Sequence, residues 1–484
     1  MTAQPSLLAE NSPEDADIVL DVDLDGTLCR TDTLHEALLT LVATDPKYVF
    51  RLPGWLQGGR AAFKAQIADH TVIHPEDLPL NQAVVEMVRA ARESGRRTAL
   101  VSAADHRQVT AVAEATGLFD EAYGSAEGRN LKGAEKAAFL TQHFGPEKFD
   151  YVGDSKADLP VWEAARKAIT VQAAPPLRSA AANANAAVHH VDPPTGRAKA
   201  MLKAMRPHQW SKNALLFLPV LAAHDPSKLG AVLLGSAAFC LTASAVYVSN
   251  DLLDLAADRA HPRKCKRPFA AGDLSAVTGG AMAAGLLLVA LILGLLTGNA
   301  VFILVLGAYL VATFAYSLSL KRKLLVDVLA LAGLYTIRIV AGGAAASVTL
   351  SPWMLGFSMF LFLALAAVKR QAELTDQMKT GRSSSGRAYE VEDLPILRGM
   401  GISAGNAAVL VLALYISSDD VQALYARPEA LWLICPMLLY WVLRMVMATH
   451  RGYMTDDPIV YAATDRTSQA VVLASVLVAV FATL

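Results

Sequence analysis

The sequence predicts two folds in series. The first is an α/β, Rossmann-like domain with a parallel sheet and a small helical cap, and the second is an all-α membrane domain of about nine transmembrane helices. Between residues 18 and 172, short apolar runs that end in polar groups alternate with helical stretches. Beyond residue 203, apolar runs long enough to cross a bilayer recur. The 484 residues are 54% hydrophobic and only 18% charged, which excludes a wholly soluble protein.

Charge and cysteine content exclude several classes of protein. The net charge of the chain is -1. Charged residues occur throughout the first domain, whereas in the second domain they occur only in short clusters. The first domain has no basic stretch interleaved with aromatic residues, so we expect no nucleic-acid partner. The 4 cysteines lack metal-ligand or redox spacing, so we expect neither a disulfide framework nor a zinc site.

Composition also predicts the domain boundaries. The N-terminal tail, residues 1–17, is acidic and lacks a basic segment followed by an apolar run, so it does not resemble a signal peptide. We therefore expect the first domain, residues 18–172, in the cytoplasm. Residues 173–202 are rich in Ala, Pro and Asn and are interpreted as a partly ordered linker. The membrane domain then covers residues 203–484.

Three apolar runs in the first domain are typical of buried parallel strands, at residues 18–23, 97–102 and 149–154. Open α/β sheets bind their ligands at the carboxyl ends of such strands. The polar side chains at these ends are therefore expected to lie together. They are Asp23, Asp25 and Thr27 at the first, Ser102 at the second, and Asp154 and Asp158 at the third, with Lys132 and Lys136 at the helix in between.

This set of side chains fits phosphoryl transfer. One carboxylate can attack phosphorus, a second carboxylate two residues on can protonate the leaving oxygen, and further carboxylates can hold Mg²⁺. A serine and a lysine can bind the phosphoryl oxygens. An Asp-Gly or Gly-Asp pair alone is more typical of a turn, but the order of these pairs and their position after strands favour a site.

The segments DVDLDGTL, VSAAD, KGAEK and GDSKAD, in that order over residues 21–158, resemble the four motifs of the haloacid dehalogenase superfamily. The resemblance implies that Asp23 is the nucleophile and Asp25 the general acid and base. It also implies Mg²⁺ binding by the aspartates and phosphate binding by Thr27, Ser102 and a lysine. Lys136 is favoured because it begins a helical pattern, with Lys132 as the alternative. Residues 31–79 would form the cap, and the substrate would be a phosphate ester. The implied metal ligands are Asp23, Asp25, Asp154 and Asp158.

The second domain contains eight long apolar runs and one shorter run, which together predict about nine transmembrane helices. The basic clusters at residues 259–267, 321–323, 369–387 and 451–466 all fall on one side if every run crosses. By the positive-inside rule that side is the cytoplasm. We therefore expect a multi-pass inner-membrane protein, in contact with membrane lipids, whose C-terminus lies outside. The runs are residues 229–248, 277–296, 301–318, 324–344, 353–368, 400–416, 430–447 and 468–484, and the shorter 213–223.

A cluster of carboxylates follows the run at residues 229–248. Asp251, Asp254 and Asp258 are spaced i, i+3, i+7, so on a helix they share one face and repel one another unless a cation lies among them. Carboxylate oxygens suit Mg²⁺, which keeps substrate phosphates among its ligands. A solvated cytoplasmic loop would explain the basic residues that follow but not these acids. The basic residues that would compensate further negative charge include Arg259, Lys264 and Arg267.

The pattern from Asn250 to Asp258, N-D-x-x-D-x-x-x-D, resembles the first aspartate-rich motif of the UbiA superfamily of intramembrane prenyltransferases. The resemblance covers residues 203–484 and implies that these aspartates bind Mg²⁺ and, through it, a diphosphate. A second D-x-x-x-D motif is absent from AVKRQAELTDQMKTGR, which retains Glu373 and Asp376. Lys369 and Arg370 precede them, so cationic side chains are expected to replace a second metal.

Several segments are similar to those of decaprenyl-phosphate phosphoribosyltransferases, among them RPHQWSKN at residues 206–213 and YSLSLKRK at 316–323. That family transfers a 5-phosphoribosyl group from phosphoribosyl diphosphate to a polyprenyl phosphate. The fused phosphatase-like domain then suggests a later step that removes the 5-phosphate of the product. Residues expected to bind the substrates are Lys212, Asn250, Arg259, Lys264, Arg267, Tyr316, Lys321, Lys369, Arg370 and Glu373.

Two other functions remain open from the sequence. One is transfer of an isoprenoid from its diphosphate to an aromatic or other acceptor, beside an independent phosphatase. The other is a transporter or scaffold that only tethers the phosphatase to the membrane. The missing second aspartate pair argues against the first, and three carboxylates with several cations at a membrane surface argue against the second.

Overall fold

The computed structural model describes residues 17–71, 74–126, 129–191, 196–381, 387–454 and 457–484, so nearly all of the predicted N-terminal tail lies outside the described residues. The chain forms two compact units. The first unit comprises Met1–Arg206 and Tyr247–Ala284, and the second comprises Pro207–Val246 and Gly285–Leu484. The aspartate-rich motif therefore belongs to the same unit as the α/β domain.

A six-stranded sheet forms the centre of the first unit, with the order β3-β2-β1-β4-β5-β6 and parallel pairing throughout. The innermost strand is buried at all four positions, which explains its continuous apolar sequence. The predicted α/β class with a parallel sheet is confirmed. The strands are β1 (Val19–Val22), β2 (Thr98–Asp105), β3 (Glu121–Ser125), β4 (Phe149–Gly153), β5 (Lys167–Val171) and β6 (Val188–Val191).

The strand order places the ends of β1 and β4 side by side. The chain adds β2 and β3 on one side of β1 and then returns to add β4 on the other, with Val22 in register with Val152. Ligands of open α/β sheets bind where the strand order reverses in this way. The residues that follow β1 and β4, Asp23 and Asp154, are therefore brought together by the topology.

Residues 173–202, interpreted above as a linker, are part of the α/β fold. They contain a helix, Pro175–Ala184, and strand β6, which pairs with β5 in the register Val171 to Val191. Proline in the first turn and alanine in the body both favour a helix, so the composition that resembled a linker encodes regular structure here. The linker interpretation was wrong.

Among the described residues, nine helices surround the sheet or follow it, and one more lies wholly within the 247–284 part of the first unit. Two of them, between residues 33 and 70, occupy the predicted cap together with a short helix. The helices are α1 (Thr33–Thr44), α2 (Leu52–Gln57), α3 (Arg60–His70), α4 (Gln82–Glu93), α5 (His106–Thr116), α6 (Ala134–Phe144), α7 (Leu159–Ala164), α8 (Pro175–Ala184), α9 (Arg197–Met205) and α12 (Leu255–Ala260).

Long apolar helices make up the rest of the chain, and two of them pass from one unit into the other. They expose large apolar side chains, such as Leu304 at 73% and Val311 at 69%, as expected for surfaces that contact lipid. The helices are α10 (Leu218–Ala222), α11 (Leu229–Leu253), α13 (Ala276–Leu296), α14 (Ala300–Leu318), α15 (Val326–Ala346), α16 (Pro352–Thr380), α17 (Leu394–Ile416), α18 (Asp419–Leu424), α19 (Ile434–His450), α20 (Pro458–Thr464) and α21 (Arg466–Thr483).

By length and composition, 8 segments among the described residues could cross a membrane, which supports a multi-pass membrane protein. The shorter run at residues 213–223, predicted as a ninth, forms the end of a 3₁₀ helix, Pro207–Phe217, and the five-residue helix α10. Pro219 lies in the first turn of α10 and separates the two helices. The predicted number of about nine was thus close, and the difference lies in this one segment.

Candidate active sites

A chain of buried hydrogen bonds links the first and third predicted motifs of the α/β domain to the fourth. Lys136 Nζ donates to Asp23 Oδ1 at 2.8 Å and to the hydroxyl oxygen of Tyr151 at 2.7 Å. The Tyr151 hydroxyl in turn donates to Asp158 Oδ1 at 2.9 Å. The candidate nucleophile, Asp23, therefore lies beside the ammonium group of Lys136 and is connected through Tyr151 to Asp158.

Asp158 also shapes the loop that follows β4. Its Oδ2 accepts from Ser155 N at 3.0 Å, from Ser155 Oγ at 2.9 Å and from Asp154 N at 3.3 Å. These bonds fix the backbone that presents the Asp154 side chain. Asp158 is thus placed to support Asp154 as well as to offer an oxygen of its own.

Of the two lysines left open by the sequence, Lys136 contacts Asp23. It lies on α6, whose preceding residue, Gly133, adopts a left-handed backbone with φ of 62°. Lys136 is buried at 2% exposure, whereas Lys132 lines the cleft above the site. The phosphate-binding role given to Lys136 stays a prediction, but its position favours it over Lys132.

Asp23, Asp154 and Asp158 fit a divalent cation. Each offers an oxygen within 4.8 Å of the other two, and in the described ranges they form the only such set of three. Burial raises the pKa of Asp154 well above its ordinary value, and the charges of Asp23 and Asp158 add to the shift. A cation among these oxygens would relieve that repulsion. Asp25, predicted as a further ligand, is outside the set.

Asp25 instead accepts a hydrogen bond from the backbone amide of Thr33, the first residue of α1, with 2.7 Å between Thr33 N and Asp25 Oδ1. Burial raises the pKa of the Asp25 carboxyl to about 7, and the charges of Asp32 and Asp23 contribute to this shift. A carboxyl group with this pKa can hold or release a proton near neutral pH, as a general acid and base must.

The two predicted phosphate-binding hydroxyls lie in different surroundings. Ser102 is buried, its Oγ accepts from Ala104 N at 3.2 Å, and it lines a cleft of about 1140 Å³ together with Asp23 and Lys136. Thr27 is also buried, but within the described part of the chain its Oγ1 has no hydrogen-bond partner and it does not line the cleft. Ser102 therefore lines the cleft with the catalytic groups, whereas Thr27 does not.

Gly26 provides a test of this geometry. It adopts a φ of +79°, and a Cβ at this position would collide with the Asp154 carboxylate. We expect Gly26→Ala to lower phosphate release by about 10-fold or more, since displacing a catalytic group by 1 Å has large effects. Initial rates on p-nitrophenyl phosphate measure this.

The matched control is Gly95→Ala. Gly95 has nearly the same φ, +82°, but a Cβ there meets no atom within 4 Å among the described residues. Both variants carry the left-handed strain of about 1 kcal/mol, and only one carries the collision. Equal rates for the two variants would contradict the placement of Asp154.

The aspartate-rich motif continues a helix with one interruption. Helix α11 ends at Leu253 and α12 begins at Leu255. The amide of Asp254 still donates to the Asn250 carbonyl at 2.9 Å, and that of Asp258 to the Asp254 carbonyl at 2.8 Å. Helical spacing therefore persists through the interruption, as the pattern predicted.

Arg267 connects two of the three aspartates. Its Nη1 donates to Asp258 Oδ2 at 2.5 Å and to Asp251 Oδ1 at 3.2 Å. Arg206 also binds Asp251 Oδ1, and Lys264 Nζ lies 3.9 Å from Asp258 Oδ1. Asp251 Oδ2 is buried without a partner in the described structure. An orphaned carboxylate oxygen fits a cation ligand, but in the described ranges the three motif aspartates do not form a set whose oxygens all lie within 4.8 Å of one another, so Mg²⁺ binding by all three stays a prediction.

Arg259, predicted to compensate the charge of a diphosphate, instead forms an ion pair with Glu36. Its guanidinium donates to both carboxylate oxygens of Glu36 in α1, at 2.8 and 2.7 Å, and to the carbonyl oxygen of Ala270 at 3.1 Å. Both side chains of the ion pair are 8% exposed. All three guanidinium nitrogens are used in these contacts, which hold α12 against the cap region.

In the second unit, Lys212 and Lys369 converge on a carboxylate that the sequence analysis did not single out. Asp457 Oδ2 accepts from Lys212 Nζ at 2.7 Å and from Lys369 Nζ at 3.1 Å. Tyr335 donates to the same carboxylate at 3.3 Å. Burial opposes ionisation, but the two ammonium groups hold the pKa of Asp457 below its usual range. The two lysines are thus positioned by one carboxylate, which offsets only one of their charges.

Arg370 lies in a second network of the same unit. Its guanidinium binds both oxygens of Asp327, donates to the hydroxyl oxygen of Tyr316 at 3.0 Å, and also binds Glu373. Arg387 adds a contact of 3.1 Å to Glu373. Arg370 is 1% exposed. Three predicted residues, Arg370, Tyr316 and Glu373, are therefore brought together, while Lys321 lies in the 3₁₀ helix Leu320–Arg322.

Seven residues of these networks were missed from the sequence. One of them carried a detectable signal, because Asp327 is an acid within a long apolar run and such residues are rarely without a role. The others have no local pattern and are recognised only by their contacts. The missed residues are Glu36, Tyr151, Arg206, Asp327, Tyr335, Arg387 and Asp457.

Comparison with known families agrees with both halves of the molecule. The UbiA prenyltransferase family model matches residues 214–458, about half of the chain. The haloacid dehalogenase-like hydrolase model matches residues 22–163. Both families indicate enzymatic activities, which argues against the transporter or scaffold alternative.

Three known proteins are similar in sequence to this chain. Uncharacterized protein y4nM of Sinorhizobium fredii is 37% identical over 461 residues, covering 94% of this chain and 89% of that protein. Nodulation protein NoeC of Azorhizobium caulinodans is 36% identical, covering 58% of this chain and 92% of that protein. Decaprenyl-phosphate phosphoribosyltransferase of Mycolicibacterium smegmatis is 32% identical, also covering 58% of this chain and 92% of that protein. The chain therefore belongs to the UbiA prenyltransferase family and carries a haloacid dehalogenase-like hydrolase domain before its membrane helices.

Proposed function

We propose that the protein is a bifunctional membrane enzyme. Its UbiA-type part transfers a 5-phosphoribosyl group from phosphoribosyl diphosphate to a polyprenyl phosphate in a Mg²⁺-dependent reaction, and its hydrolase domain cleaves a phosphate monoester. The observation that carries the proposal is the pair Lys212 and Lys369 on Asp457, a cationic arrangement in a chain that lacks a second aspartate pair. The similarity to decaprenyl-phosphate phosphoribosyltransferase supports it.

In the transfer step, the bond from carbon 1 of ribose to the diphosphate breaks and diphosphate leaves. A phosphate oxygen of the polyprenyl acceptor forms the new bond to carbon 1, so no proton or electron need be supplied. Asp251, Asp254 and Asp258 would hold Mg²⁺, which supplies positive charge to the leaving diphosphate. Arg267 keeps Asp251 and Asp258 together. Lys212 and Lys369 bind substrate phosphates by charge.

In the hydrolase domain, an Asp23 oxygen attacks phosphorus and the ester P–O bond breaks. Asp25 gives its proton to the leaving oxygen. Asp25 then takes a proton from the water that attacks the phosphoaspartate, which releases inorganic phosphate and restores Asp23. Lys136 and Ser102 hold the phosphoryl oxygens. Asp23, Asp154 and Asp158 would hold Mg²⁺, which supplies charge neutralisation at the phosphoryl group.

The alternative for the membrane part is transfer of an isoprenoid to an aromatic or other acceptor. Family membership is compatible with it. Asp376, where an aspartate pair would supply a second metal site, is exposed on α16, and this disfavours a second metal there. For either reaction, the basic loops support an inner-membrane location with the hydrolase domain in the cytoplasm.

The test uses purified protein in detergent with radiolabelled phosphoribosyl diphosphate and polyprenyl phosphate, with and without Mg²⁺. We expect label to enter the lipid phase only when Mg²⁺ is present, because the aspartates need it to bind the leaving group. The control replaces the donor with an isoprenoid diphosphate and the acceptor with an aromatic acid. Transfer in the control reaction alone would overturn the phosphoribosyl proposal in favour of prenyl transfer.

A further inference from the structure

We propose that the hydrolase site acts on a phosphate monoester carried by a membrane lipid, and not on a soluble metabolite. This inference rests on the hydrolase activity proposed above and names the substrate class of that site. The observation behind it is that one wall of the catalytic cleft is built by the segment that begins a membrane-spanning helix.

The cleft of about 1140 Å³ is lined by the catalytic groups Asp23, Lys136 and Asp154. Residues 272–275, 277 and 278 also line it, and these belong to the loop after the aspartate-rich motif and to the first turn of α13. Helix α13 is one of the 8 candidate membrane spans. A phosphate bound at Asp23 therefore lies in a cleft that opens onto the end of a membrane helix.

The contact between this wall and the hydrolase domain is close. Gly272 has a φ of +73°, and a Cβ at this position would lie 2.6 Å from the Cβ of Arg30. Asp273 Oδ1 lies 3.7 Å from Arg30 Nη1, and Leu274 is 3% exposed. Only glycine permits this approach, so the wall is a packed part of the site.

A buried ion pair fastens the cap region to the same segment. Arg259 and Glu36 form two hydrogen bonds, of 2.8 and 2.7 Å, and both side chains are nearly inaccessible. Paired, well-hydrogen-bonded charges of this kind fix geometry more than they add stability. Since the first residue of α1, Thr33, donates a hydrogen bond to Asp25, the pair connects the catalytic loop and the cap region to the membrane-side loop.

The first turns of α13 offer a path for a lipid chain. Val277, Ala281 and Ala284 are exposed at spacings of four and three residues, so they lie on one face of the helix. Val277 itself lines the cleft and is 59% exposed. Lys132, Lys156 and Arg197 also line the cleft and can balance a second negative charge, such as the phosphodiester of a lipid-linked sugar phosphate.

The inferred substrate has the same chemistry as the product of the proposed transfer. A polyprenyl phosphodiester of ribose 5-phosphate carries a phosphate monoester on the sugar and an isoprenoid chain on the other side. The hydrolase domain would then consume what the membrane domain makes. Release of inorganic phosphate would make the sequence irreversible.

The test reconstitutes the full chain in phosphatidylcholine vesicles and compares two phosphate esters in the presence of Mg²⁺. One is synthetic farnesyl-phosphoryl-ribose 5-phosphate in the bilayer, and the other is ribose 5-phosphate in the buffer. We expect kcat/KM for inorganic phosphate release to be about 10-fold or more higher for the lipid ester, because remote binding energy is used at the reacting centre. The synthetic ester makes the assay independent of phosphoribosyl transfer.

A matched pair of variants tests the wall itself. Val277 and Val301 are both the second residue of a candidate membrane helix, α13 and α14, and are 59% and 57% exposed. We expect Val277→Gln to lower the ratio of lipid-ester to soluble-ester hydrolysis by about 5-fold, the effect of losing about 1 kcal/mol of apolar contact. Val301→Gln should leave the ratio unchanged, because Val301 does not line the cleft.

The outcomes separate the two proposals. Equal or faster hydrolysis of the soluble ester by the wild-type protein would overturn the lipid-substrate inference and leave the phosphatase proposal in place. An equal ratio for the two valine variants would overturn the role of the α13 wall. Hydrolysis of neither ester would overturn both the inference and the proposed hydrolase activity, whatever the result for phosphoribosyl transfer.

Discussion

Replacing Asp23 with asparagine is expected to lower phosphate release from p-nitrophenyl phosphate by at least about 10³-fold, because the variant loses the attacking oxygen. The amide also removes the negative charge that faces Lys136 Nζ at 2.8 Å. Phosphoribosyl transfer should continue in the same variant, since Asp23 has no role in it. A 5-phosphorylated lipid should then accumulate, which chromatography of the lipid extract would detect.

Asp21→Asn is the matched control for this prediction. Asp21 lies two residues earlier on β1, is fully buried, and within the described residues neither carboxylate oxygen has a hydrogen-bond partner. Burial raises the pKa of the Asp21 carboxyl well above its ordinary value, and asparagine has a similar shape. We expect hydrolysis within about 3-fold of the wild type. A comparable loss in both variants would argue against Asp23 as the nucleophile.

Asp251→Asn is expected to lower phosphoribosyl transfer by about 10²-fold or more, since it removes a charged ligand for the metal that neutralises the leaving diphosphate. Asp251 Oδ2 is the orphaned oxygen of the motif, and Asp251 Oδ1 already accepts from Arg267 and Arg206. An amide here can neither hold Mg²⁺ equally well nor pair with both arginines. Transfer of radiolabel into lipid, measured over a range of Mg²⁺ concentrations, separates weakened metal binding from loss of folding.

The control for this variant is Asp376→Asn, at an exposed position on α16 where a second aspartate motif would have been expected. We expect unchanged transfer, because Asp376 is exposed and does not belong to the aspartate-rich motif at residues 250–258. An equal loss in the two variants would mean that a second metal site operates at Asp376 after all. The hydrolase rate of both variants on a soluble ester reports whether the protein is intact.

Local pattern was enough to predict the kinds of element and their order. The buried strands were predicted from short apolar runs that end in Asp23, Ser102 and Asp154, because the centre of a parallel sheet is covered on both faces. The membrane helices were predicted from the length of their apolar runs, because a helix needs about 20 apolar residues to cross a bilayer. These properties depend on neighbouring residues and need no knowledge of distant ones.

Weak local patterns produced the errors. Strand β6 is four residues long, and its two central histidines are exposed at the edge of the sheet, so nothing in its sequence distinguishes it from a loop. Its pairing with β5 depends on a partner that the chain has already placed. The run at residues 213–223 was apolar enough to suggest a span but is interrupted at Pro219.

The sequence by itself determined the family and the two kinds of domain, because these are encoded in short contiguous segments, and from the same segments it predicted the aspartates of both motifs. The tertiary structure alone decided which charges meet. Lys136 reaches Asp23 across 113 residues, Glu36 meets Arg259 across 223, and Lys212 meets Asp457 across 245. Such pairs form because a buried charge is stable only beside a partner of opposite charge. Residues so far apart in the sequence show no local pattern that would predict the pairing.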